Sequence, residues 1–582
     1  MAKRKELRQA YGFDDVAIAP GTVTVNPGMT DVSTQIGDLT LDVPILASAM
    51  DAVVDPAFAI ELGRREIGCL LVEKRDGALP VPRMSQVSTR NMEFCRNWGI
   101  ARDVRDAVWK GSHTLDFVYL TSLTGFELAR QKIPSYAERG DLGFTPEGPC
   151  HCPQTYFDPI LAAHVKTLPS VTMRYDTGLS AVEQDGAAVH ATLTNSLTGG
   201  QETVRARYLV GCDGPNGMVR AALGIALGGL GVVAHSVNIY FRSAELATIH
   251  DKGWARFYRL IDETGCWGEL IAIDGRELWR LTVFHELDGE MDAGAYLRKM
   301  ANADFAYQII SVAPWERRDY VAEQFRSGRV LIAGDAAHQC SPTGGMGMHT
   351  GVAEAVNLGW KLAAVIEGWG GDALLDSYEA ERRPLALRNV DASTNAFHQI
   401  TGMPGGRAIA QESPDGVRTR RRFDQSRQEL RKYSVNEYDK TQYCYEGSPI
   451  CVADGTAPPD ADPPRFIPSA RPGTRAPHGW IEADRSTQDL FGDGFVLLRL
   501  GDAPPDAGPL TEAAAACGMP LTEVRITDPA IAETYQRKLV LVRPDGHVAW
   551  RGDTCPADPA AVLDRVRGAL DGPQRGEADL AN

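Results

Sequence analysis

The chain lacks an apolar run of the roughly eighteen residues that a membrane-spanning helix needs. The nearest stretch, Ala221 to Ala234, is short and broken by glycines, so no membrane partner is expected. Basic charge is in short supply as well. Lys and Arg number 60 against 76 Asp and Glu, a formal net charge of −16, which argues against nucleic acid or an anionic membrane surface. The opening MAKRK is followed by no apolar core, so no secretory signal is read and a cytoplasmic address is expected. The 11 cysteines are scattered, odd in number and without a C-x-x-C pair, which suits reduced thiols better than a disulfide framework. Cys150-His151-Cys152 has no second ligand pair at metal spacing, so no metal is assigned. G-x-S-x-G, P-loop, H-E-x-x-H and EF-hand patterns are absent, and hydrolase readings lose their support. At 582 residues the chain exceeds one core, and about two to four domains are expected.

What is present is concentrated in Arg329 to Gly351, RVLIAGDAAHQCSPTGGMGMHTG. An apolar strand ends at Gly334-Asp335, placing a carboxylate at a strand tip, where open α/β sheets bind ligands. Pro342, Gly344, Gly345 and Gly347 allow the backbone to approach a flat ring without Cβ atoms in the way. A helix expected from near Thr350 would aim its positive end at the same place. Residues 206–220 repeat the logic, with a strand from Tyr208 to Gly211 stopping at Asp213-Gly214. Upstream, CLLVEKRD at 69–76 reads as a buried strand closed by Glu73, where a carboxylate takes ribose hydroxyls.

These elements resemble the FAD-dependent aromatic hydroxylases, group A flavoprotein monooxygenases of the p-hydroxybenzoate hydroxylase fold, whose GDAAH and PTGGxGM motifs stand at 334–338 and 342–348. The resemblance implies an α/β chain: an FAD-binding Rossmann-like domain, an antiparallel-sheet substrate domain and a C-terminal thioredoxin-like domain. It implies FAD contacts from Glu73, Arg83 (near the pyrophosphate), Gln154, Asp213, Asp335, Pro342, Gly344, Gly345, Gly347, Met348 and His349. His349 stands where the family usually has Asn, and Gly217 where it commonly has Ser. The implied reaction takes NAD(P)H as electron donor and O2 as co-substrate and hydroxylates a small aromatic molecule, phenolic or polyketide-like. No general base is assigned, and a homodimer is compatible with the reading.

The G-x-G-x-x-G fingerprint expected about twenty residues before the ribose carboxylate is missing. Its glycine positions fall at Met50, Ala52 and Asp55, although a strand (Ile45 to Ala49) and a helix (Ala57 to Arg65) still fit there. Residues 1–63 instead resemble the opening of IMP dehydrogenases, so the chain reads as a splice of two families. Two rivals follow: a flavoprotein-like fusion with impaired FAD binding and no catalysis, and an IMP dehydrogenase-related protein, the latter lacking a catalytic cysteine loop.

Between 237 and 284, alternating aromatic strands and a turn at Asp274-Gly275-Arg276 predict an antiparallel sheet; Trp254, Tyr258, Trp267 and Trp279 each read as core packing before substrate contact, and as a set they suggest a ring-lined pocket. The expected division is an IMP dehydrogenase-like segment at 1–63, interleaved FAD-binding and substrate domains at 64–400, a linker or irregular wrap at 401–472 and the thioredoxin-like domain at 473–582. With only isolated Cys517 and Cys555, that last domain is read as an interaction or stability module.

Overall fold

A computed structural model describes residues 42–49, 54–79, 81–284, 291–430, 443–458 and 466–569, with backbone alone for 42–49 and 427–430. Most of the IMP dehydrogenase-like segment, including Met50 and Ala52, lies outside the described residues.

Strands rich in Leu, Val and Ile with both faces covered form parallel sheets. Here five of them run parallel in the order Val330–Ile332, Gln201–Cys212, Asp42–Ala49, Cys69–Glu73 and Val171–Arg174. The splice therefore supplies the middle strand. The helix that follows it, Val54–Gly63, is buried at all 10 positions and packs on the helix Met346–Glu367. Two glycines allow the close approach. A Cβ on Gly351 would lie 2.5 Å from Val54 Cγ2, and one on Gly359 would lie 2.6 Å from Glu61 Cβ. The βαβ skeleton expected without its glycines is thus present, its strand and helix each beginning three residues earlier than the sequence suggested.

The second sheet has eight strands, with Leu227–Arg242, Leu278–Val283, Gly265–Ala272 and Phe257–Asp262 as consecutive antiparallel neighbours. The hairpin at 274–276 forms because Asp274 Oδ1 accepts from the N–H groups of Arg276, Glu277 and Leu278 at 2.9–3.0 Å. One correction concerns the aromatics. Tyr258, Trp267 and Trp279 are buried in a core shared with Leu297 and Met300 of the helix Ala293–Ala301, and Trp254 stacks on Trp279 at 5.4 Å. They pack the far side of the sheet rather than lining a pocket, since such burial contributes about 1.5–3 kcal/mol per large side chain. By strand alternation, Asn238, Tyr240, Arg259, Glu269, Arg280 and Thr282 occupy the opposite face.

The C-terminal unit orders its strands Leu521–Ile526, Phe495–Leu500, Leu539–Val542 and Val548–Gly552, the first pair parallel and the rest antiparallel. It is not a separate bead. Trp360 of the long helix shares a core with Phe495, Leu497 and Trp550, and so do Ile450 and Val452, which fall in the stretch read as a linker or irregular wrap. That stretch also contains the helix Pro414–Leu430.

Beside this core lies a buried ion cluster. Glu381 accepts from Lys361 Nζ at 2.7 Å and from both terminal nitrogens of Arg543 at 2.5 and 2.9 Å, while Arg543 also reaches Asp545 at 2.5 Å. Burial pushes the Glu381 carboxyl up, but Arg543 and Lys361 outweigh it and hold it well below the usual carboxylate range. A carboxylate depressed in this way stabilises the fold above its unfolded pKa of about 4.3 and loses that contribution as pH falls toward its folded value. Glu381→Gln leaves Lys361 and Arg543 short of a buried counter-charge and is expected to cost about 3–5 kcal/mol in chemical unfolding of the intact chain, with a weaker dependence on pH below about 4. A loss under about 1 kcal/mol would show that the cluster does not hold the C-terminal unit in place.

Candidate functional site

Register decides what meets at the sheet edge. Ala49 pairs with Glu73 on one side and Cys212 on the other, and Gly211 pairs with Ile332. The strands therefore end level, and Glu73, Asp213 and the Gly334-Asp335 turn emerge along one carboxyl edge.

Asp335 is exposed although Gly334, Ala336 and Ala337 around it are buried, so its carboxylate opens onto a cleft rather than into the core. The protein walls crowding it raise its carboxyl above the ordinary value, against the pull of His338 and Arg83. Across the cleft the glycine turn is realised by Gly344 (φ +83°) and Gly345 (φ +65°), a left-handed pair that side chains disfavour. The helix starts at Met346, four residues before the sequence placed it, so Gly347, Met348 and His349 belong to its first turn. A Cβ on Gly347 would find nothing nearer than Asp335 Oδ1 and Cys340 Cβ, both at 3.9 Å. The space beside the carboxylate and the positive helix end is open to a planar group.

The other candidates fall into two groups. Gln154 and Arg83 meet: Gln154 is buried, its Oε1 accepts from the Arg83 N–H at 3.2 Å and its Nε2 donates to Asp158 at 3.1 Å, while the Arg83 side chain is exposed. Pro342 is exposed on the cleft turn, and Gly345 N–H donates back to its carbonyl at 3.0 Å. Glu73, Asp213, Met348 and His349 each make protein contacts. Glu73 Oε1 accepts from Arg75 N–H at 2.9 Å. Asp213 accepts from Val219 N–H at 2.9 Å, and burial raises its carboxyl against that bond. A Cβ on Gly217 would stand 2.1 Å from Asp213 Oδ1, so a side chain there would require that carboxylate to shift. Met348 Sδ accepts from Asn91 Nδ2 at 3.3 Å, and His349 Nε2 accepts from Ser88 N–H at 3.0 Å. His349 thus ties the glycine turn to the start of the helix Thr89–Asn97. Asp55, at the third glycine position, is buried at the head of the helix Val54–Gly63.

Three residues escaped the sequence reading. Glu354, fully buried, accepts from Gly334 N–H at 2.8 Å and contacts His338 Nε2 at 3.0 Å, so it props the Asp335 turn from beneath. Burial alone would lower the His338 imidazole, but Glu354 outweighs it and holds the ring well above its ordinary value. A lone acid in the apolar run GVAEAVN was the available signal. Arg317 and Arg280 reach the cleft from the second sheet, Arg317 to Ser341 and Thr343 at 3.2 Å and Arg280 to the Pro82 carbonyl at 3.1 Å. Strand alternation alone did not distinguish them from surface arginines. Among the described residues, no group of three His, Cys, Asp or Glu side chains is placed to hold a metal ion, and no helix is long and apolar enough to cross a membrane.

The open space beside Gly347, the outward Asp335 and the helix end fit the ring and ribityl part of FAD.

Comparison with known proteins agrees with this geometry. The FAD binding domain model matches residues 57–393, the aromatic-ring hydroxylase C-terminal model 469–570, and the IMP dehydrogenase / GMP reductase model 10–76. The tetracenomycin B2 monooxygenase-dioxygenase of Streptomyces olivaceus is 31% identical over 90% of this chain and 98% of its own length. The rebeccamycin biosynthetic enzyme RebC with reduced flavin superposes with a TM-score of 0.84 at 36% identity, covering 91% of this chain and 99% of that one. An aklavinone-11 hydroxylase in ternary complex with FAD and aklavinone gives 0.76 at 30%, covering 90% and 99%. With the FAD binding domain spanning more than half its length and the hydroxylase C-terminal domain following it, the chain belongs to the FAD-dependent aromatic-ring hydroxylases and is a flavoprotein monooxygenase.

Proposed function

We propose that the chain hydroxylates an aromatic substrate, phenolic or polyketide-like, using FAD, NAD(P)H as electron donor and O2. The observation that carries the reading is the exposed Asp335 carboxylate facing an unobstructed Gly347 at the head of a 22-residue helix. Bound FAD supplies the oxygen-activating chemistry. In this reading Asp335 and Glu73 hold ribityl and ribose hydroxyls, and Arg83, positioned by Gln154, lies near the pyrophosphate. Asp213 shapes the turn at the adjoining strand end. Pro342, Gly344, Gly345, Gly347 and the backbone of Met348 and His349 form the seat for the ring. The polar face of the second sheet, with Asn238, Tyr240, Arg280 and Thr282, is the substrate wall. The aklavinone held by a relative supports a fused-ring substrate. The non-catalytic rival is not favoured, since relatives along the whole domain are monooxygenases and hydroxylases.

We further propose the domain division at about 63, 400 and 472, a thioredoxin-like C-terminal unit on the grounds of its β-α-β-α-β-β-α order, a cytoplasmic setting and a homodimer.

Purified protein should show flavin absorbance at about 450 nm and should oxidise NADH or NADPH faster when an acceptor phenol is added. Absence of flavin after reconstitution with FAD would sink the reading. Asp335→Ala removes a charge-assisted hydrogen bond worth about 1.5–3 kcal/mol and is expected to weaken FAD binding roughly 10- to 150-fold in a titration of apoprotein. Gly347→Ala separates ligand from fold. The protein leaves room for the methyl group, and alanine gains up to about 1 kcal/mol of helix propensity, so thermal stability of apoprotein should hold or rise while FAD affinity falls. Unchanged affinity in Gly347→Ala would place the ring elsewhere.

A further inference from the structure

Among the described residues six arginines are buried: Arg90, Arg317, Arg382, Arg475, Arg543 and Arg551. Four have a carboxylate in contact, namely Arg90 and Arg475 on Glu93, Arg543 on Glu381 and Asp545, and Arg551 on Asp454. Arg382 donates to Tyr445 and the Thr350 carbonyl, behind the long helix. Arg317 stands at the cleft and its hydrogen-bond partners are neutral. Its Nε donates to Ser236 Oγ at 2.9 Å, and one terminal nitrogen donates to Ser341 Oγ and Thr343 Oγ1, both at 3.2 Å. The rings of Phe397, Trp315 and Phe284 surround the guanidinium at 4.2, 4.5 and 5.3 Å. Burial, with no carboxylate in contact among the described residues, pushes it down to about 9, so it is still a cation at neutral pH. Glu269, whose charge acts on it, is committed to Arg259 at 2.9 Å, Asp319 two residues along the strand accepts from Thr394 Oγ1 at 2.6 Å, and Arg280 adds a second positive charge.

Leaving a buried cation without an anion is costly, and four of the six buried arginines avoid it. The two residues Arg317 grips flank Pro342 and lead directly into Gly344-Gly345. The charge has the same sign as the helix end at Met346, so both favour negative charge in the cleft.

We propose that Arg317 is a positioning residue that fastens the flavin-seating turn to the substrate-side sheet and supplies a buried positive charge that favours reduced, anionic flavin over oxidised flavin. The proposal rests on the FAD-dependent reading above. Its balance involves no covalent step, only a difference in affinity for the two redox forms.

The test uses the full chain reconstituted with FAD, comparing Arg317→Met, Arg317→Gln and Arg317→Lys with the parent by midpoint potential against a reference dye and by FAD titration. Each neutral variant should lower the ratio of affinities for reduced over oxidised FAD by tenfold, a fall of about 30 mV for a two-electron couple. Arg317→Lys keeps the charge and loses the fork, so it should hold the potential while binding FAD several-fold more weakly. If Arg317→Met fails to fold, Arg317→Gln, which retains hydrogen bonding, supplies the same reading. A neutral variant with the parent's potential overturns the proposal, and so does a lysine variant whose potential falls as far as the neutral one, since packing rather than charge would then be responsible. A parent protein that takes up no FAD overturns the functional reading itself, and this inference with it, and is recognised before any variant is compared.

Discussion

The site depends on the register of the parallel sheet. Because the strand Asp42–Ala49 is held between Gln201–Cys212 and Cys69–Glu73, with Ala49 level with both Cys212 and Glu73, three separate chain segments release their terminal carboxylates along one line. A shift of one residue in any of these pairings would turn that strand's side chains to the other face and carry its carboxylate off the edge. Cys69–Glu73 and Val330–Ile332 are buried at every position, as parallel strands covered on both faces are.

The helix Met346–Glu367 transmits this arrangement through the molecule. Its first turn borders the cleft, Glu354 braces the Asp335 turn, Gly351 and Gly359 admit the helix Val54–Gly63, and Asn357 and Lys361 enter the ion cluster with Glu381. At 1.5 Å per residue the helix is about 33 Å long, enough to join the cleft to the C-terminal core, where Trp360 is buried against Phe495. The C-terminal unit is therefore part of what anchors the helix whose first turn borders the cleft, and an absent C-x-x-C pair is no obstacle to that role.

The same helix explains how the fold accommodates a first unit without the glycine fingerprint. In a dinucleotide-binding unit the third glycine of the motif gives close helix–strand packing. Here Asp55 occupies that position, and close packing is achieved on the other side, where glycines of the long helix leave room for Val54 and Glu61. The backbone skeleton is thereby kept while its side chains change.

The sequence by itself determined the strand-end carboxylates Glu73, Asp213 and Asp335, the glycine turn, the antiparallel sheet and its hairpin, and the strands of the C-terminal unit. Each of these is set locally, by apolar period, by turn chemistry, or by glycine where φ is positive. It did not determine which face of the second sheet meets the cleft, because alternation defines two faces and only packing against the helix Ala293–Ala301 assigns Trp267 and Trp279 to the inner one. Nor did it determine that Ile450 and Val452 join the core of the C-terminal unit, that His349 reaches Ser88, 261 residues away, or that Arg317 and Glu354 serve the turn at 334–345. Those contacts join residues far apart in the chain or on different elements, so only the closed tertiary structure, which brings the strand ends, the long helix and the second sheet to one cleft, could decide them.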